Sequence, residues 1–474
     1  MNKTIITLIL LSVAVNLNAQ IADIPDFLFR ITLLNSDCID FDGDTIVDGN
    51  IDLNNDGLIQ ISETEAVKGI YTESGGSIEG IDYFSNIEVL NMPNGIGHFD
   101  QGILDFSSNP YLKEIQINGF LLQTIIVSEC PNLEILKVSY ISFGDLTNID
   151  LTQNLNLKYL MIYNNDLAEI DLSQNINLEY LNLGSNPLTE IDLSQNLNLE
   201  YLNLDACSLT NIDISQNVNL TELSVSWCPI DVLDISQTPS LVRLTCHTSS
   251  YSNIIINNPN LLSIVAGYNQ ITDLDLSQAP NLESLAVGDN NLTSLDVSNN
   301  PKLKNVSCFA NQITSLDFSQ NHDLVQLYCK ENSLTSLKIN NGNNINMLAM
   351  IAYDNPELSC IQVDDENYAN NQICNVGNED GWCIDANTIY SENCNLAIQD
   401  FNLQSFTIYP NPSKDIININ SQKQIDNIQI FTINGSLIKD STSTTINISE
   451  LLSGLYFVQI NAEGNSVTKK FIKF

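Results

Sequence analysis

A leucine pattern with a period of about 21 residues runs through the middle of the chain. In the stretch from Leu157, two further apolar residues follow at Leu160 and Ile162, and an asparagine follows at Asn165. The leading residues recur at Leu157, Leu178, Leu199, Leu220, Leu241, Leu261, Leu282, Leu303, Leu324 and Ile345, at intervals of 21, 21, 21, 21, 20, 21, 21, 21 and 21. A repeat of this length indicates a solenoid, because a single coil cannot bury its own leucines and must stack on its neighbours.

Each repeat predicts a short strand followed by a turn. Leu160 and Ile162 are separated by one residue, which is the spacing of side chains on one face of a strand. Asn165 then falls at the turn, where its side-chain amide can hydrogen-bond backbone groups of its own and the next coil. The equivalent positions hold Asn186, Cys207, Cys228, Ser249, Asn269, Asn290, Asn311 and Asn332.

The second half of each repeat carries its own alternation and its own turn residue. Ile170-Asp171-Leu172 reads apolar, polar, apolar, so each coil is predicted to form a second short strand. A second asparagine series follows these strands and predicts another turn ladder. Its members are Asn154, Asn175, Asn196, Asn217, Asn300 and Asn321.

The repeated phrase L-x-x-L-x-L-x-x-N/C-x-L resembles the leucine-rich repeat. The resemblance implies a mainly β solenoid of 21-residue coils with parallel sheets over residues 87–358. Thirteen starts fall between Ile87 and Ile345. The first three are Ile87, Leu112 and Leu133, and the distances from each of them to the next start are 25, 21 and 24 residues, which is typical of irregular terminal coils. The coil from Leu241 is one residue short and has Ile255 in place of aspartate, so a kink is predicted there.

The N-terminal residues 1–19 have the features of a secretory signal peptide. Lys3 precedes an apolar segment at residues 5–15, and Leu17-Asn18-Ala19 stands before Gln20. The apolar run is too short to span a bilayer, and no later run of 18 apolar residues is present. The mature chain is therefore predicted to be exported, without a transmembrane segment.

Two aspartate-rich segments lie in the predicted N-terminal cap, residues 20–86. The segment from Asp52 to Glu63 resembles the twelve-residue EF-hand loop, which implies side-chain or carbonyl ligands at fixed positions and a sharp turn at Gly57. The implied ligands are Asp52, Asn54, Asp56, Leu58, Gln60 and Glu63. A solvated acidic turn is the alternative. A structural Ca²⁺ ion is the cofactor that this resemblance implies.

The segment before it, residues 40–48, is another candidate calcium loop, which we call the first acidic loop. Its oxygen ligands would be Asp40, Asp42, Asp44 and Asp48, and it resembles the aspartate-rich calcium repeats of dockerin or thrombospondin type. Thr45 stands where such repeats have glycine, so calcium binding and a plain acidic turn both stay open here.

The eleven cysteines of an exported chain lie in a compartment that permits disulfides, and their odd number leaves at least one unpaired. Cys246, Cys308 and Cys329 occupy inward strand positions and are predicted to be buried thiols. Cys207 and Cys228 are either turn-ladder residues or a disulfide between adjacent coils. Four more cysteines predict a disulfide-stapled C-terminal cap at residues 359–394, and these are Cys360, Cys374, Cys383 and Cys394.

After a predicted linker at residues 395–404, the chain changes to short alternating strands with an Asn434-Gly435 hairpin turn. The strand spacing predicts a small Ig-like β-sandwich. Residues 405–474 resemble the C-terminal sorting domain of the type IX secretion system, through Tyr-Pro-Asn-Pro at 409–412, Leu-Ser-Gly-Leu-Tyr at 452–456 and Lys-Lys-Phe-Ile-Lys at 469–473. The resemblance implies export by that machinery in a Bacteroidetes-type cell, followed by release or surface attachment. An appended adhesive sandwich is the alternative.

The charge balance narrows the class of partner. Lys and Arg number 17 against 57 Asp and Glu, giving a net charge of −40, which disfavours nucleic acid and anionic membranes. No G-x-S-x-G, H-E-x-x-H, P-loop or Rossmann phrase occurs, so we do not expect an enzyme. An aspartate series at 150, 171, 192, 213, 234, 275, 296 and 317 would form a row that prevents sheet-on-sheet association or is simply inherited with the repeat; cation binding and raised pKa values are the alternatives.

Aromatic residues recur at outward strand positions of the predicted concave face. These candidate ligand-binding residues are Tyr159, Tyr163, Tyr180, Tyr201, Trp227, Arg243, His247, Tyr268, Phe309 and Tyr328. Such residues either bind a sugar or protein partner or stabilise the sheet through cross-strand contacts. We therefore predict a secreted or outer-membrane-surface binding protein for an extracellular protein or glycan. A structural or adhesion component without a ligand site is the alternative, and a hydrolase is a distant third.

Overall fold

The computed structural model describes residues 20–73, 77–93, 102–118, 122–139, 146–375, 377, 380–394, 406–421, 424–462 and 465–474. The predicted signal peptide and linker lie outside the described residues. The chain divides into two compact units, Met1–Tyr390 and Ser391–Phe474. Both units are mainly β, as predicted, and among the described residues no helix is long and apolar enough to cross a membrane.

The first unit is built on one 17-stranded sheet, which we call the principal sheet. Its strands lie side by side along the solenoid, one from each coil. The parallel strands are Gly69–Tyr71, Val89–Met92, Glu114–Asn118, Ile135–Ser139, Tyr159–Tyr163, Tyr180–Asn182, Tyr201–Asn203, Glu222–Ser224, Arg243–Thr245, Ser263–Val265, Ser284–Ala286, Asn305–Ser307, Gln326–Tyr328, Ala349–Ile351 and Asp380–Cys383. Ile39–Asp40 and Cys374–Asn375 pair antiparallel at its two ends.

The register of the principal sheet confirms the repeat. Leu160, Leu181 and Leu202 are directly paired in neighbouring strands, and all three are fully buried. Because a buried apolar residue takes this position in strand after strand, with Ile264, Val306 and Met350 in place of leucine, the coils share a continuous core. Burying a leucine side chain contributes about 1.5–3 kcal/mol, and no isolated coil could obtain this gain.

The predicted second strand forms in three groups of coils and is absent from others. The three short parallel sheets are Ile103–Asp105 with Thr124–Ile126 and Asn148–Ile149; Val232–Asp234 with Asn253–Ile255; and Ser315–Asp317 with Ser336–Lys338, Cys360–Gln362 and Ile389–Ser391. Between residues 150 and 231, all of which are described, the second half of each coil is extended without ladder pairing. The prediction of a second strand in every coil is therefore wrong, although Leu172 and Leu193 are buried as that pattern requires.

One predicted repeat start is wrong. Gln326 pairs with Ala349, so the leading position of that coil is Met347 and not Ile345. Met347 is buried, whereas Ile345 lies exposed in a short 3-10 helix, Asn344–Asn346. The extra residues of this helix displace the register by two positions, which a count of spacings alone could not detect.

The short coil from Leu241 keeps its place in the principal sheet. Its strand remains paired, because Leu244 lies between Leu223 and Ile264. Tyr251 is fully buried where other coils have a leucine or isoleucine, and its hydroxyl donates to the carbonyl of Val225 at 2.7 Å. A buried tyrosine needs such a partner, and the larger ring fills the core of the shortened coil.

Both asparagine ladders form, and each joins one coil to the one before it. In the first, Asn186 donates to the carbonyl of Ile162 at 2.7 Å and accepts from the N–H of Leu167 at 3.1 Å. In the second, Asn196 donates to the carbonyls of Leu172 and Asn175 at 3.1 and 2.9 Å. In the second ladder these amides are additional donors, because the carbonyls of Leu172 and Asn175 also accept from backbone N–H groups of their own coil, and the amides thereby tie neighbouring coils together.

Cys207 and Cys228 are free thiols that occupy the first ladder. The Cys228 thiol lies 3.2 Å from the carbonyl of Leu204, the same kind of contact that the asparagines make. Burial raises the pKa of Cys207 to about 12, so this thiol stays protonated at neutral pH. Seven cysteines are free and buried, including Cys38 and Cys130, which the sequence did not place.

The two ends of the solenoid are covered by small caps. At the N-terminal end, helix Phe27–Asn35 packs Phe29 and Leu33 inward. Helix Ile61–Thr64 forms the end of the acidic segment at residues 52–63, which we call the second acidic loop. A 3-10 helix, Ile81–Tyr83, precedes the first regular coil. At the C-terminal end, helix Glu366–Asn370 lies beside a Cys374–Cys383 disulfide, and Cys360 and Cys394 are also disulfide-bonded.

The second unit consists of two antiparallel sheets around a separate core. One sheet contains Phe406–Tyr409, Ile416–Ser421 and Thr445–Asn447, and the other contains Leu437–Ser441, Asn427–Thr432, Gly454–Ala462 and Asn465–Lys473. Isoleucines from both sheets, among them Ile417, Ile419, Ile428 and Ile430, face one another. Gly435 has a φ of 77° at the predicted hairpin, which confirms the Asn-Gly turn. The predicted small sandwich is confirmed.

Candidate functional site

The side chains of the principal sheet that point away from the core form a surface that we call the outward face. In each three-residue strand the middle residue is buried, and the residues on either side of it lie on the outward face. Strand pairing stacks equivalent residues of successive coils about 4.8 Å apart. The outward face is therefore made of files, each with one residue per coil.

Three tyrosines in the first file form a continuous stack. The rings of Tyr159 and Tyr180 have centroids 4.0 Å apart, those of Tyr180 and Tyr201 are 4.2 Å apart, and both pairs are nearly parallel. The ammonium of Lys137 lies 4.7 Å from the Tyr159 centroid and covers the end of the stack. Burial raises the pKa of the Tyr180 and Tyr201 hydroxyls. Tyr159 and Tyr180 present ring edges and hydroxyls to solvent, because the faces of these two rings are covered.

The file continues with an ion pair. Tyr201 is followed by Glu222 and Arg243 on successive strands, and the guanidinium of Arg243 hydrogen-bonds the Glu222 carboxylate. The pair is well exposed, so it contributes little to stability. It does neutralise Arg243, so this position does not offer an anion an unpaired cation.

Trp227 lies in the turn just beyond the strand, on a file with unusual backbone geometry. Every coil from residue 164 to residue 354 has a left-handed residue here, and most are small or polar, for example Ser185, Ala206 and Ala310. Trp227 has a φ of 61° and is 59% exposed. A bulky residue in this conformation costs local free energy and does not contribute to the core, which marks it as a functional candidate. Its ring meets that of His247 nearly at right angles, with centroids 6.1 Å apart.

Tyr268 occupies the same turn file two coils further on, again with a left-handed backbone and with 54% exposure. Its ring meets that of Phe309 edge to face, with centroids 6.3 Å apart. Phe309 lies over Gly288, where an added Cβ would come within 2.4 Å of the ring. Lys330 lies 5.8 Å from the Phe309 centroid and pairs with Glu331 at 3.5 Å.

The predicted ligand-binding residues thus fall into two groups. The first is the tyrosine stack with Lys137. The second, which we call the turn cluster, contains Trp227, His247, Tyr268 and Phe309. Tyr163, at the end of its strand, and Tyr328, whose neighbours on the sheet are Ser307 and Ile351, make no aromatic pair with either group among the described residues.

The second acidic loop folds with its polar side chains turned towards one another. Asp52 accepts from the N–H groups of Asp56 and Gly57 at 3.1 and 2.8 Å, and Gln60 donates to Asp56 at 2.9 Å. Glu63 is 4% exposed and accepts from the N–H groups of Leu53 and Gln60, at 2.9 Å each. Asn54 donates to Gln60, and Gly57 is left-handed with a φ of 77°. This set of hard oxygen donors fits Ca²⁺.

The first acidic loop brings three carboxylates together. Asp40, Asp42 and Asp48 each offer an oxygen within 4.8 Å of the other two. Asp40 is buried and accepts from the N–H of Gly43 at 2.7 Å. Thr45 adopts the left-handed conformation, with a φ of 71°, that a glycine would adopt more easily. Asp44 accepts from the N–H of Ile46, a hydrogen bond that holds the turn of the loop.

The aspartate series forms an exposed file on the second half of the coils, and hydrogen bonds lower the pKa of several of its members. Asp171 accepts from the backbone N–H of Ser173 at 2.9 Å, and the backbone and hydroxyl of Ser173 hold the pKa of Asp171 below its ordinary value. The same hydrogen bonds lower the pKa of Asp192 and Asp213. Raised pKa values were one alternative for this row, and Asp171, Asp192 and Asp213 do not follow it, because each carboxylate is solvated and has its own donor, which outweighs repulsion along the row.

Two features of the outward face were absent from the sequence prediction. The left-handed turn file shows no obvious signal in the sequence, because its residues range from alanine to tryptophan. The two lysines beside the aromatic groups, Lys137 and Lys330, could have been found by aligning outward positions coil by coil. An exposed aliphatic file, Leu155, Ile176, Leu197 and Val218, also follows the second asparagine ladder.

Three solved structures resemble the first unit at low sequence identity. An internalin from Listeria monocytogenes is 21% identical, with a TM-score of 0.48, over 71% of this chain and 91% of that chain. The functional domain of InlJ from Listeria monocytogenes, which includes a cysteine ladder, is 21% identical, with a TM-score of 0.37, over 64% and 80% of the two chains. A leucine-rich-repeat protein of Leptospira interrogans is 19% identical, with a TM-score of 0.44, over 56% and 77%. No curated protein matches the chain.

The C-terminal unit matches a known family. Residues 407–474 match the secretion system C-terminal sorting domain. This match covers nearly all of the sandwich from its first strand, Phe406–Tyr409, to the last residue. The chain is thus a leucine-rich-repeat-type solenoid followed by a type IX sorting domain, and it is secreted or attached at the outer-membrane surface.

Proposed function

We propose that the solenoid recognises an extracellular protein or glycan through its outward face. The observation that carries this proposal is the pair of aromatic groups, the tyrosine stack and the turn cluster, on the solvent side of a sheet whose core is complete without them. Leu181 and Leu202 fill the interior, whereas Trp227 and Tyr268 are more than half exposed. Aromatic residues of this kind supply most of the binding free energy in many interfaces.

The test uses the chain from Gln20 to Phe474, immobilised and presented with a glycan array and with purified extracellular proteins. Ligands that bind are measured again with Tyr201→Ser and Trp227→Ala. We expect at least one substitution to weaken binding tenfold or more, since aromatic anchors at interfaces contribute about 2 kcal/mol or more. Leu197→Ser is the control, because Leu197 is 49% exposed and lies outside the outward face.

The rival structural role gives a different result. A surface-layer or adhesion component would self-associate with increasing concentration in sedimentation experiments, and Tyr201→Ser and Trp227→Ala would leave that association unchanged. A ligand that binds equally well to wild type and to both variants contradicts recognition through the outward face.

We further propose that Ca²⁺ braces the N-terminal cap. The residues that would hold it in the second loop are Asp52, Asn54, Asp56, Gln60 and Glu63, with the carbonyl of Leu58. Asp40, Asp42, Asp44 and Asp48 would supply the first loop. The ion would offset the repulsion between these carboxylates, which lie next to the strands that begin the principal sheet. This role is structural, and the proposal includes no catalytic step.

A further inference from the structure

The two aromatic groups of the outward face differ in which parts of their rings a ligand can reach. In the tyrosine stack the two faces of Tyr180 are covered by Tyr159 and Tyr201, at 4.0 and 4.2 Å. The outer face of Tyr159 is covered by Lys137. A ligand at Tyr159 or Tyr180 therefore meets ring edges and hydroxyls, because neither ring has a free face on which a flat ligand could stack.

The turn cluster has the opposite arrangement. Trp227 meets His247 at 80° and Tyr268 meets Phe309 at 69°, so among the described residues neither ring is stacked face to face on a neighbour. Both rings are also more than half exposed. An edge-to-face contact covers at most one face of a ring, so Trp227 and Tyr268 each keep a ring face on which a ligand could stack.

The spacing of the two rings follows from the stacking of the coils. The N–H of Trp227 donates to the carbonyl of His247, that of Thr248 to Gly267, and that of Tyr268 to Gly288, so the turn file stays in register. Trp227 and Tyr268 are therefore two coils apart, about 10 Å at 4.8 Å per coil. This separation is close to the length of two sugar units in an extended β-linked chain.

The positions beside these rings carry hydrogen-bonding groups. Thr248 lies between Trp227 and Tyr268 in the same file, and the carboxylate of Asp289 follows Tyr268. Gly267 lies just after the neighbouring strand and has no side chain, so no side chain projects from that position. Alternating ring faces and polar groups suit a pyranose, whose C–H face packs on the negative face of an aromatic ring while its hydroxyls bond to the polar groups.

Charge excludes one class of sugar. Arg243 is paired with Glu222 and Lys330 with Glu331, and the chain carries a net charge of −40. An acidic polysaccharide would be repelled at this surface. We propose that Trp227 and Tyr268 form a platform for a neutral, β-linked oligosaccharide, with Thr248 and Asp289 bonding its hydroxyls. This inference rests on the proposed function and specifies the ligand of one part of the outward face.

The test is calorimetric titration of the chain from Gln20 to Phe474 with neutral β-linked hexasaccharides of glucose, mannose, xylose and N-acetylglucosamine. We expect at least one to bind, and we expect Trp227→Ala and Tyr268→Ala each to weaken it tenfold or more. Neither variant should disturb folding, because Ala206 and Ala310 occupy the same left-handed position in other coils. Tyr111→Ala is the matched control, since Tyr111 is 53% exposed and lies outside the turn cluster.

Two further readouts separate a sugar from a basic peptide, which the acidic chain could also attract. Sugar binding should persist at 0.5 M NaCl and should change the emission of Trp227, because the other tryptophan, Trp382, is buried. A lysine hexapeptide is the rival probe. If it binds through Trp227 and loses affinity with salt while no hexasaccharide binds, the sugar assignment is overturned but recognition through the outward face stands.

The remaining outcomes also decide the matter. If no hexasaccharide binds, or if one binds equally to wild type and to both variants, the platform is not a sugar site. The proposed function fails separately, and only if no ligand of the wild-type chain depends on either the turn cluster or the tyrosine stack.

Discussion

Buried asparagines hold successive coils together by donating to carbonyl groups of the coil before. Asn196 is fully buried, and its two donor bonds close the turns at Leu172 and Asn175. Its own side-chain oxygen has no partner among the described atoms, as is also true of Asn175 and Asn217 in the same ladder. Asn196 therefore stabilises the fold through its N–H donors, since a buried acceptor without a partner lowers stability.

The ladder predicts a strong difference between two asparagines of one coil. Asn196→Ala removes two buried hydrogen bonds, although the carbonyls of Leu172 and Asn175 each keep one backbone donor, so we expect the free energy of unfolding to fall by about 1–3 kcal/mol. Asn198→Ala is the control, because Asn198 is exposed and donates to the carbonyl of Ile176 at 3.1 Å, and its loss should cost less than about 1 kcal/mol. Urea denaturation measures both. Equal losses would show that the ladder is not a stabilising feature.

At the scale of elements, the N-terminal cap joins the principal sheet through its acidic loops. The first loop begins at strand Ile39–Asp40, which pairs antiparallel with Gly69–Tyr71, and the second loop leads into helix Ile61–Thr64. Both strands contribute buried residues to the core, and Ile61 of the helix packs against it. Any ion held in these loops would therefore stabilise the place where the coils begin to stack.

Calcium should stabilise the chain through Glu63. We expect removal of calcium with EGTA to lower the free energy of unfolding, because a ligand at 100 times its Kd contributes about 2.7 kcal/mol. Glu63→Gln should weaken calcium binding at least tenfold, since the closing bidentate carboxylate is lost. Titration calorimetry and thermal unfolding measure both effects. Glu65→Gln is the control, as Glu65 is exposed and outside the loop; a stability unchanged by EGTA would rule out the bracing role.

At the scale of the whole molecule, the two compact units differ in architecture and in charge. Residues 405–474 contain six lysines and five acidic residues, a net charge of +1, so the −40 of the whole chain arises as −41 from the other residues. The family match is confined to the C-terminal unit, which supplies the export signal. The solenoid carries the ligand-binding candidates, so the sorting domain and the proposed recognition site lie in different units.

Deleting residues 407–474 should stop export without unfolding the solenoid. In a cell with type IX machinery we expect the truncated chain to remain inside the outer membrane, because the sorting domain is its link to that machinery. Cell fractionation with immunoblotting measures the location, and thermal unfolding of the purified chain should show the solenoid transition of wild type. Full-length Trp227→Ala is the control and should be exported normally. Release of the truncated chain into the medium would contradict the assignment.

The repeat determined much of the fold in advance. A leucine every 21 residues left stacking as the means of burying the core, so the paired rows of Leu160, Leu181 and Leu202 followed from spacing alone. The alternating tail with its Asn434-Gly435 turn likewise predicted the sandwich. The lists of outward residues and acidic loop residues could also be written from position, because strand alternation and loop spacing are local properties.

Tertiary packing decided the rest. Whether the second half of a coil pairs as a strand depends on its neighbours, so the local pattern of Ile170-Asp171-Leu172 predicted a strand that did not form. The two-residue shift from Ile345 to Met347 depends on a short helix that repeat counting does not see. Which aromatic rings stack and which keep open faces is likewise set by contacts between coils, because a ring's free face is a property of its neighbours in space and not of its own position in the chain.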